Sequence, residues 1–194
     1  MRKVILFLHS SLDGFVEGPN GEMDIGWVAY NEELEKHAKE ILSTVDTVLW
    51  GRGTYQMMEN YWTSVPSNPT ASEHEVEHAK WIEDTQKIVF STTLEKTEWN
   101  NSKLVKENIE EEIKNLKELP GNDIIILGSP RFAHRLMELD LIDVLKITIS
   151  PVIIGSGLPL FNEVKYNRNL SLVENKTFNS GVIGLTYNFI NNRN

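Results

Sequence analysis

At 194 residues, with 40% hydrophobic content and five tryptophans, the chain is long enough for one domain with a full core, on a scale of about 100–200 residues per domain. A net charge of −9 argues against sequence-independent nucleic-acid binding, which needs clustered Lys and Arg to neutralise phosphates. The lack of cysteine excludes disulfides, thiolate metal sites and a cysteine nucleophile, and no apolar run reaches the roughly 18 residues of a membrane span.

The first apolar stretch, after Arg2-Lys3, is too short for a signal peptide and lacks a small-residue cleavage site. It reads as a strand over residues 3–9, and the expected compartment is the cytoplasm. Residues 13–26, rich in Gly, Asp, Asn and Pro, read as a loop. Asn31 caps a predicted helix carrying Leu34, His37, Ala38, Ile41 and Leu42 at helical spacing. A second strand over 46–50 runs into Gly51-Arg52-Gly53-Thr54, which opens a helix to Tyr61. Ser72 with Glu75 forms a predicted capping box for a helix ending near Asp84. A strand at 87–92, a charged helix at 108–118, a strand at 123–127, a helix at 130–139 and a strand at 143–150 follow. Alternating segments from 170 to 190, broken near Asn179-Ser180-Gly181, predict a terminal hairpin. Strands alternating with helices, then a strand-rich end, imply an α/β fold with a mostly parallel sheet and an antiparallel edge.

Several strands end in Gly and small polar residues: Asp13-Gly14, Gly51-Arg52-Gly53, Gly128-Ser129-Pro130 and Gly155-Ser156-Gly157. Ligands of open α/β sheets sit at the carboxyl ends of strands, and backbone N–H groups at helix starts hold phosphates. Arg52 suits a two-pronged phosphate contact, and Thr54 either adds a hydroxyl or caps the helix. Neither a Rossmann fingerprint nor a P-loop is present. His74-Glu75-Val76-Glu77-His78 matches the H-E-x-x-H zinc pattern, but no third ligand motif accompanies it. Its bland reading is a solvated acidic helix, and no metal is expected.

Together these pieces resemble the dihydrofolate reductase-like superfamily, and more closely the C-terminal reductase domain of the riboflavin-biosynthesis protein RibD. The resemblance runs through Ser11-Leu12-Asp13-Gly14-Phe15, Leu49 to Tyr55, Lys87 to Leu94, Ile126 to Ser129, Leu139 to Asp143 and Pro151 to Phe161. It implies a single domain over 1–194 with helices on both faces of the sheet, NADPH as hydride donor, a small heterocyclic substrate and a homodimer. By position, Arg52 and Thr54 would contact cofactor phosphates and Ser91 the 2′-phosphate. Gly128, Ser129 and Pro130 would approach the pyrophosphate, and Gly155 and Gly157 would lie by the cleft. Asp13 and Glu35 are the implied catalytic carboxyls, one of them with a pKa raised by burial to donate a proton. Phe15 and Trp27 would shape the substrate pocket. Phe15 stands where many riboflavin reductases carry a basic residue, and the zinc deaminase half of the bifunctional enzyme is missing. The readings open at this point are the aminopyrimidine reductase of riboflavin synthesis, a folate- or pterin-type or promiscuous carbonyl reductase, and a nucleotide-binding module without turnover.

Overall fold

The computed structural model describes residues 1–21, 23–162 and 167–190; Glu22, in the expected 13–26 loop, lies outside them. The first half contains β1 (Val4–Ser11), β2 (Phe15–Glu17), α1 (Glu32–Leu42), β3 (Val45–Gly51), α2 (Arg52–Trp62), α3 (Glu73–Asp84), β4 (Gln86–Phe90) and β5 (Ser102–Val105). The second half contains α4 (Ile109–Glu118), β6 (Asp123–Leu127), α5 (Pro130–Glu138), β7 (Val144–Ser150), β8 (Leu158–Pro159), β9 (Leu170–Thr177) and β10 (Ile183–Phe189).

Eight strands form one sheet in the order β5-β4-β3-β6-β1-β7-β10-β9. The six from β5 to β7 are parallel, and β10 runs antiparallel to both β7 and β9. Parallel strands covered on both faces need apolar residues on both, and β1 supplies them. Val4, Leu6 and Leu8 pack with Ile113 and Leu116 of α4 and Ala133 and Leu136 of α5. Ile5 and Phe7 point the other way and pack with Ala38 and Ile41 of α1, Tyr55 of α2 and Ile82 of α3. Each fully buried aliphatic side chain contributes about 1.5–3 kcal/mol, so this central strand anchors both layers.

The helix starts follow the sequence chemistry. Asn31 Oδ1 accepts the Leu34 N–H at 3.1 Å, and Glu32, Glu33 and Glu35 place negative charge in the first turn of α1, where the helix dipole favours it. Ser72 and Glu75 form the reciprocal capping box at α3. At the other end of α3, fully buried Lys87 donates to the carbonyls of Ile82 (2.6 Å) and Thr85 (2.8 Å) and sits 4.7 Å over the Trp99 ring. A cation at a helix C-terminus complements its unpaired carbonyls.

Two features were not expected. β5 pairs in parallel with β4 at the sheet edge; its four residues are too few to show a period of two. Within the expected loop, β2 pairs with β8 to form a separate two-stranded sheet.

Candidate active site

The carboxyl ends of β4, β3 and β6 lie side by side. Gly128 and Ser129 both adopt positive φ, 66° and 54°, and deliver the chain into α5 with Pro130 in its first turn, where the missing N–H costs nothing. The Ser129 hydroxyl does not cap α5. It accepts the Gly51 N–H at 3.0 Å and ties the end of β6 to the end of β3. Gly51 in turn gives α2 no side-chain cap. Two helices thus begin on neighbouring strand ends without side-chain caps on their first-turn N–H groups, and both carry partial positive charge there. Arg52, the first residue of α2, is exposed and donates from Nη1 to Thr93 Oγ1 at 2.8 Å. The Thr93 hydroxyl is 3.4 Å from Ser91 Oγ, which accepts the N–H groups of Thr93 and Leu94. Arg52, Thr54, Ser91, Gly128, Ser129 and Pro130 are therefore gathered on three adjacent strand ends.

The ends of β1 and β7 are closed differently. Asp13 is exposed, and its carboxylate accepts the Ile154 N–H (3.2 Å) and Gly155 N–H (2.8 Å). The Ser11 hydroxyl, followed by those two amides, holds the Asp13 carboxyl below its usual range despite some opposing desolvation. The expected raised pKa does not fall on Asp13, which at neutral pH is an ionised acceptor that ties two loops together. Gly155 and Gly157 belong to the same closure. Gly157 has φ 146°, and a Cβ there would lie 2.0 Å from the Glu17 carbonyl oxygen, so this glycine is required by the close passage of β2. Both glycines follow β7, two strands from β6, and the contacts they make are with the 13–18 segment rather than with the Arg52–Ser129 group. Phe15 pairs with Pro159 and donates its N–H to Ser11 Oγ at 2.9 Å. Trp27 is half-buried, its indole N–H on the Asp24 carbonyl at 2.9 Å.

Beneath these loops lies a polar group not singled out from sequence. Register places Phe7, His9 and Ser11 of β1 beside Lys146, Thr148 and Ser150 of β7. Alternation puts all six on the α1 face. His9 Nδ1 shares a hydrogen bond with Thr148 Oγ1 at 2.5 Å. The ring meets Phe7 and Tyr30 edge-on, at 5.3 and 6.1 Å between centroids. Burial, then the charge of His37, lowers its pKa to about 4, so the imidazole is neutral at neutral pH. Glu35, half-buried on α1, acts on the same corner: burial first, and its charge second, raise the Tyr30 phenol. The only hint in the sequence was a histidine at the end of a run of apolar strand residues.

The H-E-x-x-H segment is committed elsewhere. Glu75 accepts from the Tyr61 hydroxyl (2.6 Å) and from Ser72, which together hold its carboxyl down at about 2. His78 packs against Trp62 and Trp81, and burial lowers its pKa to about 4. The two open clefts near Arg2 are walled by the starts of β1, β4, β5 and β6. They lie at the opposite edge of the sheet, away from the gathered glycines.

The RibD C-terminal domain profile matches residues 2–183. The uncharacterized protein YyaP of Bacillus subtilis is 35% identical over 188 residues, 97% of this chain and 95% of YyaP. A putative riboflavin biosynthesis protein from Shewanella sp. PV-4 shares the fold with a TM-score of 0.75 at 22% identity, over 97% of this chain and 99% of that one. Dihydrofolate reductase from Enterococcus faecalis, solved with NADP(H), shares it with a TM-score of 0.60 at 14% identity, over 96% of each chain. With the sheet order and its antiparallel edge, these likenesses assign the α/β, dihydrofolate reductase-like fold, and the chain belongs to the RibD C-terminal domain family.

Proposed function

We propose that this protein is an NADPH-dependent reductase that passes hydride to a small heterocyclic acceptor. One observation carries the reading: α2 and α5 start on neighbouring strand ends without side-chain caps, because the Ser129 hydroxyl is spent on Gly51. Paired helix N-termini beside an exposed arginine suit a pyrophosphate. In this reading Arg52 and Thr54 bind phosphate, Ser91 lies by the ribose 2′-phosphate, and Gly128, Ser129 and Pro130 allow close backbone approach. Bound NADPH supplies the hydride; the protein supplies orientation and electrostatics. The acceptor lies toward β1 and β7, with Phe15 and Trp27 shaping its pocket and Gly155 and Gly157 keeping the covering loop close. Asp13 holds that loop, which leaves Glu35 as the carboxyl proposed to govern protonation.

We also propose one domain over the full chain, a cytoplasmic setting and a homodimer. No helix among the described residues is long and apolar enough to cross a membrane. Leu172 and Val173 are exposed on β9, the sheet's outer strand, a surface that favours pairing with a second copy. A monomer mass in light scattering would count against the dimer.

The test is NADPH consumption with a panel of dihydropterins, aminopyrimidines and carbonyl compounds. Consumption that depends on the acceptor is the expected result. Tight NADPH binding without turnover across the panel would instead favour the non-catalytic module.

A further inference from the structure

An arginine stands in the first turn of each helix on the phosphate side, Arg52 on α2 and Arg131 on α5, and neither first turn carries an acidic residue. The positive end of a helix opposes a cation there. Arg52 reaches a neutral hydroxyl, Thr93 Oγ1, whereas Arg131 is held by a carboxylate. Its Nη2 and Nη1 donate to the two oxygens of Glu17 at 3.0 and 3.5 Å. Glu17, on β2, is 5% exposed, while the Arg131 side chain is 68% exposed. Burying a carboxylate is unfavourable, and apolar residues in place of a buried ion pair are often as stable or more so. Stability alone therefore gives no reason for Glu17. A guanidinium has five N–H donors, so three of those on Arg131 have no partner among the described residues. One turn along the same face of α5, His134 Nε2 lies 3.2 and 3.0 Å from the carbonyl oxygens of Pro159 and Leu160. Pro159 belongs to β8, the partner of β2. Val16 and Leu160 are buried in one cluster with Ala133 and Leu136 of α5. One face of α5 thus grips both strands of the small sheet, at the point where Gly157 passes the Glu17 carbonyl.

We propose that Arg131, through Glu17, is a positioning residue that couples the start of α5 to the β2–β8 cover, so that an anion bound at that helix start tightens the cover over the acceptor side. This rests on the reductase reading for the two ligands it links. An exposed arginine held at one end keeps much of its side-chain freedom. A phosphate oxygen that accepts one of its remaining N–H groups fixes the planar fork. Glu17 then meets a partner that is already ordered, and the ordering cost falls once on two contacts instead of on each. That shared cost couples the two regions without any new contact between them. His134 grips backbone carbonyls a turn away from the helix start, which leaves the Arg131–Glu17 pair as the contact that an anion changes.

The test is hydrogen–deuterium exchange of the backbone amides of Phe15, Val16, Glu17, Leu158 and Leu160 in the whole protein. It is run free, with saturating NADPH, and separately with saturating inorganic pyrophosphate. Either ligand should slow these amides about fivefold in the native protein, the low end of ordinary coupling between sites, and leave those of α4 unchanged. In Glu17→Gln, which keeps the shape and removes the charge, the cover should exchange faster in every state. The slowing caused by ligand should fall below about twofold. A pair that only stabilises the fold would leave that ratio at its native value. Glu17→Met combined with Arg131→Met, which leaves no charge buried without a partner, gives the same reading if Glu17→Gln does not fold. An unchanged ratio in the variant, or bound ligand without slowing in the native protein, would overturn the proposal. Failure of NADPH to bind would defeat the reductase reading. Slowing by pyrophosphate would then still uphold the coupling, and no slowing by either ligand would overturn it too.

Discussion

Two neighbouring stretches of one sheet edge are built on opposite electrostatic terms. At the ends of β4, β3 and β6, backbone N–H groups of two helices are left without side-chain caps, an exposed arginine stands beside them, and glycine and serine in left-handed conformations keep side chains out of the way. At the ends of β1 and β7 the Thr148 and Ser150 hydroxyls are buried beside a neutral His9, and the covering loops are fastened by the ionised Asp13 and by Gly157. The first surface leaves donors free for a charged ligand, whereas the second is closed over by its own loops. Division of labour along one edge follows from which atoms each strand end leaves unpaired.

The largest expected effect breaks the second surface. Gly157→Ala drives a methyl into the Glu17 carbonyl at a φ that suits only glycine. It should destabilise the protein by about 3 kcal/mol or more, measured by urea unfolding. A loss below about 1 kcal/mol would mean that the loop closure is loose.

The neutral histidine gives an effect of similar size. Folded His9 protonates near pH 4 and an unfolded histidine near 6.5, so on acidification the unfolded chain takes up its proton first. Its contribution is complete above pH 6.5 and is lost as pH falls from 6.5 toward 4, by about 3 kcal/mol for this ring. His78 titrates over the same window, so the informative quantity is a difference. Stability of His9→Phe should fall less steeply over this range than that of the native protein. Parallel curves would show that His9 is not held neutral by the fold.

On the charged side, Arg52→Ala should cost about 1.5–3 kcal/mol of NADPH affinity, the scale of a charge-assisted hydrogen bond, and leave acceptor affinity in place. Unchanged NADPH binding would remove Arg52 from the site. The smallest effect is a control outside both surfaces: Asn31→Ala, which deletes the α1 cap, should cost about 1 kcal/mol of stability. It should change neither affinity beyond what that predicts.

Much of the charged surface was legible in the sequence, because its chemistry is local. A glycine or serine after an apolar run, then a helix, announces a helix N-terminus at a strand end wherever the strand falls in the sheet. What sequence did not reveal was that Ser129 bonds Gly51, which requires β3 and β6 to be neighbours. The polar group at the ends of β1 and β7 is non-local throughout: His9 and Thr148 lie 139 residues apart, and only strand register unites them. Asp13 sits in a turn that sequence marks, but its bonds to the amides of Ile154 and Gly155 could not be read there, because those come from the far end of the chain. The fold was clearest where helices and strands were long and capped, as at Asn31 and Ser72. It was obscure at β5 and at the β2–β8 pair, which exist through their partners rather than their own periodicity.

The most direct measurement is a crystal structure of the protein with NADPH. The account predicts the pyrophosphate at the first turns of α2 and α5, within reach of Arg52, and the nicotinamide extending toward the His9 end of β1. A pyrophosphate held elsewhere, with both helix starts left to solvent, would contradict it.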